Sequence, residues 1–370
     1  ANARPVKVIS RPDQYVGITT WSGDNIDGRE IDMGMSPDLI WVKTRNQTNW
    51  NWLTDTVRGA PNKLYSNDTS AEDTSPIYGQ ADSFTYKGWI AGGGTDSSNP
   101  LSDSNQTGTN YVCWAWKAGG NKNTFNVDDV GYASAAAAGL GASGNSWDSD
   151  PTGASIGTKQ GFSIIKHTGT GSTGTLPHGL TQKPTFYISK PVSTTGNWVV
   201  YTDVIDGSLD YFYLNTTGAK GDSGQSLPTS EVFSYGYTAN EYIHYLWHDV
   251  PGLQKFGKYT GNLSTDGPYV ELGFRPAVIL CKSVTNGNNW FIKDNKRSSS
   301  GFNPVNKRIY PNANNAEMQQ TTYHEVDFLS NGFKLRGNGG EDNANGDTIV
   351  YAAWAEAPSV DLFGGGANAR

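Results

Sequence analysis

The sequence is poor in charged residues and in long apolar runs, and each shortage excludes a class of protein. Charged residues make up 17% of the 370 residues, the 28 basic side chains are scattered, and the net charge is -7. Nucleic acid is not an expected partner, because recognition of phosphates needs a clustered basic surface. No run approaches the roughly 20 apolar residues of a membrane-spanning helix, so membrane insertion is not expected either.

Cysteine and the common catalytic strings are equally scarce. The two cysteines, Cys113 and Cys281, lie inside apolar runs, which predicts buried free thiols rather than a disulfide framework. The sequence has no Gly-x-Ser-x-Gly elbow, no Walker loop and no His-Glu-x-x-His string, and we predict that the protein is not an enzyme. His244 and His248 stand four residues apart, but on a strand that spacing is roughly 13 Å, too far to share one metal ion.

The residues that are abundant favour strands and tight turns. Glycine occurs 45 times, and aromatic residues make up 12% of the chain. Turn formers mixed with strand formers predict many short strands joined by tight loops, and hence an all-β protein. The chain is long enough for two or three domains, each with an ordinary core.

Three stretches of the chain carry the same landmarks in the same order. In each stretch a proline precedes an apolar run that ends in lysine, an Asn-Trp pair and an aspartate follow, and an aromatic strand closes the copy. This order predicts one folded unit that occurs three times and is entered at a proline, where no ladder hydrogen bond is needed. The repeated residues are Pro37, Lys43, Trp50 and Asp55, then Pro184, Lys190, Trp198 and Asp203, then Pro276, Lys282, Trp290 and Asp294.

The repeat predicts three tandem antiparallel β-sandwich modules of jelly-roll-like type. Their expected bounds are residues 1–116, 161–251 and 252–370, and residues 117–160 are expected to form a Gly-, Ala- and Ser-rich linker or arm. Repetition favours structural roles, namely packing for the repeated tryptophans and a turn hydrogen bond for the repeated aspartates. The stem of each repeated lysine is expected to cover apolar surface while its charge stays in water.

Aromatic residues outside the repeat are the candidates for surface recognition, because an aromatic ring stacks well on a sugar face. Burial of several of them is the alternative, since such rings also fill cores. The acidic stretch 342–347 has oxygen donors in loose calcium-loop spacing but lacks the full ligand pattern, so no cofactor is expected and calcium is a minor alternative. The candidate ligand-binding residues are Trp52, Trp89, Trp147, Tyr211, Tyr213, Tyr235 and Tyr237.

The third copy resembles a known family. The resemblance rests on FGKYTGN at 256–262, GFRPA at 273–277, DFLSNGFKLR at 327–336 and YAAWAEAP at 351–358. These strings are similar to a domain of unknown function found at the C-terminal end of tail-fibre-like virion proteins, chiefly of marine phages and cyanophages. The resemblance is specific in the third copy, good in the first and looser in the second, and it brings no catalytic residues with it.

What the resemblance implies is an extracellular virion appendage, either a tail fibre or a receptor-binding structural protein for host attachment. The expected partners are other virion proteins, a host-surface glycan or protein, and further copies of the chain in a homotrimer or higher homo-oligomer. Two alternatives stay open. One is a capsid decoration or filament-forming structural protein, and the other is a polysaccharide depolymerase, whose paired carboxylates a sequence cannot display.

Overall fold

The computed structural model describes residues 9–358 except 146, 237, 299, 300, 302, 320 and 321. Within that part of the chain the protein is all-β, with one short 3-10 helix at Pro12–Gln14 and no α-helix. The all-β prediction is therefore confirmed. No helix among the described residues has the length and apolar character that crossing a membrane would require.

The strands fall into three segments of the chain and one connecting stretch. Segment 1 (residues 16–116) holds β1 Val16–Ser22, β2 Arg29–Asp32, β3 Leu39–Thr44, β4 Trp52–Asp55, β5 Leu64–Tyr65, β6 Gln80–Phe84, β7 Gly88–Gly92 and β8 Asn110–Trp116. The connecting stretch holds β9 Phe125–Val127, β10 Val130–Tyr132 and β11 Gly153–Gly157.

Segments 2 and 3 hold the remaining strands. Segment 2 (residues 162–247) holds β12 Phe162–Thr168, β13 Gly174–Pro177, β14 Phe186–Pro191, β15 Val199–Thr202, β16 Asp210–Tyr213, β17 Gly221–Asp222, β18 Val232–Tyr235 and β19 Glu241–Trp247. Segment 3 (residues 254–358) holds β20 Gln254–Thr260, β21 Tyr269–Glu271, β22 Phe274–Ser283, β23 Phe291–Asp294, β24 Lys307–Arg308, β25 Met318–Gln319, β26 Val326–Leu329, β27 Gly332–Leu335 and β28 Thr348–Pro358.

Each segment contains a large antiparallel sheet with the same strand order, in which the last strand lies between the first and the third. The three orders are β1-β8-β3-β4, β12-β19-β14-β15 and β20-β28-β22-β23. A smaller sheet packs on one face of each large sheet, and these are β2-β7-β6, β13-β18 and β21-β27-β26. The stretch 117–160, predicted as a linker or arm, instead carries strands that extend the large sheet of segment 2, since β11 pairs with both β12 and β9.

Both faces of each large sheet are buried. Along β8, Cys113 faces the small sheet of its own segment, whereas Trp114 and Trp116 face a cluster to which all three segments contribute. Successive side chains of a strand point to opposite faces, so a strand buried on both faces has a continuous apolar sequence. We call the cluster common to the segments the shared core, and the cluster under each small sheet an outer core.

Three tryptophans at matching places meet in the shared core. Trp116, Trp247 and Trp354 pair with the matching residues Leu39, Phe186 and Val278 of the third strands. Their ring centroids are 5.2–6.3 Å apart, and every pair meets edge to face, which is a favourable arrangement of aromatic rings. We call them the axial tryptophans, because the three large sheets are arranged cyclically around them.

The chain enters and leaves this arrangement at the same end. The first residue of β1 pairs with Trp116, and β28 ends just beyond Trp354, so the axial tryptophans mark the end at which the described chain starts and stops. The strands β3, β14 and β22 run away from that end and reach the repeated lysines at the opposite one. We call the opposite end the far end.

Both cysteines are buried and unpaired, as the sequence predicts. Burial raises the pKa of the Cys113 and Cys281 thiols, so both stay protonated at neutral pH. Each therefore acts as a small apolar residue of an outer core.

Candidate functional site

The three repeated lysines lie at the far end, where neighbouring segments meet. Each is fully buried, and its ammonium group donates hydrogen bonds to carbonyl groups of its own loop and of the adjacent segment. The direction of contact is the same each time, which makes the interface cyclic. The bonds between segments run from Lys43 to Asn314 O (3.1 Å), from Lys190 to Thr69 O (3.1 Å) and from Lys282 to Thr217 O (3.0 Å).

These interface lysines do not keep their charge in water, contrary to the sequence prediction. Burial lowers the pKa of Lys43 to about 7 and the pKa values of Lys190 and Lys282 to about 8. Several carbonyl oxygens around each ammonium group offset part of the desolvation that causes the shift. The lysines therefore connect the segments instead of covering the surface.

A second ring of contacts involves two of the repeated tryptophans. The indole N–H of Trp198 donates to Tyr65 O (2.8 Å) and that of Trp290 to Tyr213 O (3.1 Å), again across segments. Strand register places Asn51, not Trp50, at the matching position of segment 1. The alignment of the three Asn-Trp pairs is thus off by one residue there, and the Trp50 side chain is 41% exposed rather than in a core.

A Tyr-x-Asn motif that sequence reasoning missed receives these contacts. It follows the Asn-Trp hairpin in all three segments, and its asparagine side chain accepts the backbone N–H of Asn51, Trp198 or Trp290 at 2.9–3.0 Å. The motif asparagine follows its partner by 16, 17 and 22 residues, so the signal in the sequence is its recurrence in the same order rather than at a fixed spacing. The three copies are Tyr65-Ser66-Asn67, Tyr213-Leu214-Asn215 and Tyr310-Pro311-Asn312.

Two of the repeated aspartates hold buried arginines. Asp55 accepts the backbone N–H groups of the turn that follows it and the Nε of Arg58 at 2.6 Å, and Asp294 does the same with Arg297 at 2.5 Å. Each carboxylate also receives a donor from the adjacent segment, Tyr245 OH at Asp55 (2.7 Å) and Trp114 Nε1 at Asp294 (2.9 Å). These aspartates thus make the predicted turn hydrogen bonds.

The third repeated aspartate is not equivalent to the other two. Strand pairing places Thr202, not Asp203, at the position of Asp55 and Asp294. The Asp203 carboxylate forms an ion pair with Lys183 instead. Its assignment to the repeat is therefore off by one residue.

The aromatic residues predicted to bind a ligand are not gathered in one place. Three of them are buried in outer cores, between a large sheet and the small sheet that packs on it, and cannot contact a ligand at the surface; these are Trp52, Trp89 and Tyr235. Three more are half-buried, namely Trp147, Tyr211 and Tyr213. Tyr237 lies outside the described residues.

Other aromatic residues of segment 1 line a cleft of about 370 Å³ at the far end. The Trp50 ring meets the Tyr65 ring edge to face at 4.7 Å between centroids, and Tyr78 is 48% exposed. Trp50 lies on the loop between β3 and β4, and Tyr78 lies on the loop between β5 and β6. Tyr65 is the last residue of β5. We call this site the aromatic cleft, and its lining residues are Asn49, Trp50, Tyr65, Asp73, Ile77, Tyr78 and Asp103.

The polar groups of the aromatic cleft are held by fixed partners. The Asp103 carboxylate accepts hydrogen bonds from Asn49 Nδ2 (2.6 Å) and from the buried Lys63 ammonium (2.7 Å). Asp73 accepts the Tyr65 hydroxyl at 2.8 Å. Burial, and then the negative charge of Asp73, raises the pKa of Tyr65, which therefore remains a neutral donor. The cleft is thus organised before any ligand arrives.

Trp50 is a departure from the repeat. The matching positions in segments 2 and 3 hold Asn197 and Asn289, each of which accepts a hydrogen bond from the asparagine of the Tyr-x-Asn motif at 2.9 Å and 2.7 Å. In segment 1 a tryptophan replaces this asparagine, and its ring is open to solvent. The three segments therefore differ at a surface position where the fold requires no aromatic residue.

Two histidines meet in the outer core of segment 2. His244 Nε2 lies 2.9 Å from His167 Nδ1, and His244 Nδ1 lies 2.7 Å from Ser189 Oγ. Burial lowers the pKa of His167 to about 4 and takes that of His244 well below its ordinary value. Both imidazoles are therefore neutral at pH 7.

No group of three or more His, Cys, Asp and Glu side chains is placed to hold a metal ion in the part of the chain that the structure describes. In the stretch 342–347, Asp342 lies 2.9 Å from His324 Nδ1 and Asp347 accepts the Ser283 hydroxyl at 2.6 Å. Both carboxylates are therefore engaged by neighbouring side chains.

One comparison with known proteins yields a match. The model of a family described as a domain of unknown function, DUF7483, matches residues 11–138 and 132–358. The first match contains segment 1, and the second contains segments 2 and 3 together. No curated protein and no solved structure matches the chain.

Proposed function

From the premise that this chain belongs to the DUF7483 family of domains of unknown function, we propose that it is a host-attachment appendage of a phage particle, of the tail-fibre type. Its three segments are tandem β-sandwich modules, and the aromatic cleft of the first module recognises a glycan of the host surface. The protein acts outside the cell as part of the virion, together with other virion proteins.

The observation that carries this proposal is the exposed Trp50. Segments 2 and 3 have asparagine at the same position, so the fold does not require the indole ring. An exposed tryptophan costs solvation free energy, and a ring next to carboxylate and amide groups is the usual composition of a sugar-binding site. A ligand contact accounts for the ring, whereas packing does not.

The position of the cleft supports the same function. The described chain starts and stops at the end marked by the axial tryptophans, and the aromatic cleft lies at the far end. Loops held on rigid sheets are the usual place for recognition.

Repetition of the whole chain would strengthen weak binding. The expected homotrimer or higher homo-oligomer remains a prediction, and several copies on one particle would multiply a weak contact into useful avidity. Cyclic packing of three similar units is already present within one chain, because the interface lysines join segment to segment.

A depolymerase is the second candidate, because two carboxylates line the cleft. Asp103 is engaged by Lys63 and Asn49, and Asp73 by the Tyr65 hydroxyl and the Ser75 N–H. A general acid needs a raised pKa and a general base needs a free carboxylate. These contacts favour binding over hydrolysis, and capsid decoration without a receptor is the remaining structural alternative.

The proposal is tested by adsorption of the purified fluorescent protein to cells of the strain that the particle infects. Trp50→Asn installs the residue of segments 2 and 3 and is expected to abolish adsorption without unfolding the protein. Tyr86→Ala, which removes an 81% exposed ring outside the cleft, is the matched control and should adsorb normally. Equal adsorption by Trp50→Asn and the unchanged protein would refute the proposal, and shortening of host polysaccharide would favour the depolymerase.

A further inference from the structure

We infer that the aromatic cleft continues into a second subsite and that the two together take a neutral oligosaccharide of at least two sugar units rather than an anionic glycan. This inference rests on the proposed glycan-binding function and specifies the ligand of the same site.

The second subsite is a polar trough next to the cleft. Its volume is about 560 Å³, and it shares Asn49 and Tyr78 with the aromatic cleft, so the two form one continuous depression. Each volume lies in the range of about 300–1,000 Å³ that small-molecule sites have. Together they exceed what one sugar ring would fill, which favours a ligand of two or more rings.

The lining of the trough is uncharged and polar. Gln47 and Thr48 are exposed, and neither side chain has a hydrogen-bond partner within the described part of the chain. Gln106 lines the trough and donates through Nε2 to Asn99 Oδ1 at 2.9 Å, while its side-chain oxygen accepts no hydrogen bond within the described part of the chain. Amides and hydroxyls of this kind both donate and accept, as sugar hydroxyl groups do.

The charge of the whole site disfavours an anionic glycan. No lysine or arginine lines the cleft or the trough, whereas Asp73 and Asp103 line the cleft. The two nearby lysines, Lys43 and Lys63, are fully buried. Lys63 is paired with Asp103, and Lys43 donates to backbone carbonyl groups of its own loop. A sulfate or uronate would meet negative charge with no exposed cation to pair with, and juxtaposed like charges weaken binding.

The two subsites are expected to contribute differently. Trp50 and Tyr78 are the exposed aromatic side chains of the cleft, on which one sugar ring can stack, and the trough supplies hydrogen bonds to the next unit. Loss of the stacking ring should weaken binding of every length of oligosaccharide. Loss of a trough side chain should weaken only the longer ones.

The experiment uses glycans released from the host-cell surface, separated by anion exchange into neutral and anionic fractions and then by length. Retention on the immobilised full chain is measured for each fraction. The neutral fraction is expected to bind, more tightly for two or more units than for one. Trp50→Asn should weaken binding at all lengths by at least about tenfold, and Gln47→Ala should weaken it only from two units upward.

The outcomes separate this inference from the proposed function. Retention of the anionic fraction alone, or equal affinity for one unit and for several, would overturn the inference while glycan recognition stood. If neither fraction were retained but Trp50→Asn still lost adsorption to cells, the ligand would be a protein and the inference would be wrong. If neither fraction were retained and Trp50→Asn left adsorption to cells unchanged, both the inference and the proposed function would be wrong.

Discussion

Equivalent positions meet in the interface between segments 1 and 3 and in the interface between segments 3 and 2. The side chains at these positions differ between the two interfaces. In the first, Trp114 donates to Asp294, which holds the fully buried Arg297. Glu317 pairs with the same arginine and with Arg45. In the second interface Ala352 stands in place of Trp114, Thr202 in place of Asp294 and Ile205 in place of Arg297. Lys220 stands in place of Glu317.

The difference shows which contacts the fold requires. Ile205 packs into the shared core where Arg58 and Arg297 form ion pairs in the other two interfaces. Buried ion pairs repay their desolvation only when every partner is present, and apolar residues of similar volume often replace them without loss. The contacts between lysine and carbonyl groups are common to all three interfaces, so we infer that they, and not the ion pairs, hold the cyclic arrangement.

The largest effect is expected from removing one partner of a buried ion pair. Arg297→Ala leaves Asp294 buried without its cation and should lower the free energy of unfolding by about 3–5 kcal/mol. The double variant Asp294→Thr with Arg297→Ile installs the residues of the interface between segments 3 and 2. It should lose only about 1–2 kcal/mol, because Glu317 keeps Arg45 as a partner, no buried charge is left alone, and only the indole N–H of Trp114 loses its acceptor.

Urea unfolding of both variants measures this contrast. Equal and large losses in the single and the double variant would show that the ion pair itself is required. The two interfaces would then not be interchangeable solutions.

A slightly smaller and more uniform effect is expected at the interface lysines. Lys43→Met, Lys190→Met and Lys282→Met each leave buried carbonyl groups without a donor, and each should lower the free energy of unfolding by about 3 kcal/mol. Lys166→Met, which removes a partly exposed ion pair with Glu241, is the control and should change it by less than about 0.5 kcal/mol. A large loss only in the interfaces that contain ion pairs would refute the equivalence of the three lysines.

Acid titration separates two contributions to the free energy of unfolding, that of the outer core of segment 2 and that of the charged interfaces. The pKa of His167 is about 4 in the folded protein and about 6.5 in an unfolded chain, so the unfolded state binds more protons between these values. Stability should therefore fall by about 2–3 kcal/mol as the pH drops from about 6.5 to about 4. His167→Tyr, which installs the residue found at the matching position of segment 3, Tyr259, should remove the share of the acid loss that is due to His167. His178, His244 and His248 keep their own shares, because burial lowers their pKa values as well.

The carboxylates of the charged interface respond at lower pH. Burial alone would raise the pKa of Glu317, but Arg45 and Arg297 outweigh it and hold that pKa below its usual range. The stability that Glu317 contributes is therefore lost only below about pH 4.5, as it becomes protonated. A loss of stability between about pH 6.5 and pH 4.5 that is as large in His167→Tyr as in the unchanged protein would contradict the assignment to His167.

The smallest effect on stability is expected at the aromatic cleft. Trp50→Asn should lower the free energy of unfolding by no more than about 1 kcal/mol, because it loses the edge-to-face contact with Tyr65 but asparagine fits this position in the other segments. Chemical unfolding measured beside the adsorption assay separates stability from binding. A loss above about 2 kcal/mol would mean that Trp50 is a packing residue after all.

Several features could be predicted from the sequence because they follow from local pattern. The apolar runs around Cys113 and Cys281 predict buried free thiols, and both thiols are buried and unpaired. The prolines Pro37, Pro184 and Pro276 also lie at matching places, two residues before the first aligned pair. The predicted strand entry at a proline is wrong for Pro276, which lies inside β22 at a register shift in the pairing with β28. What the runs could not show is the partner of the second face, which proved to be the other two segments.

The one-residue errors at Trp50 and Asp203 have a physical cause. Matching Asn-Trp pairs by their letters ignores strand register, and a shift of one residue moves a side chain to the opposite face. The aromatic cleft could not be predicted for the same reason, because the sequence alone does not distinguish an exposed tryptophan from a buried one. Trp52 and Trp89 were therefore predicted at the surface, while Trp50 was predicted in the interior.

The central claim is that the three segments share one core and are not separate modules on a string. Hydrogen exchange of the native protein in low concentrations of urea measures it directly, at amides of β8, β19 and β28. The shared core predicts that the three strands open with the same free energy, equal to that of global unfolding. Three different opening free energies, which would mean that each strand opens without the other two, would contradict the claim.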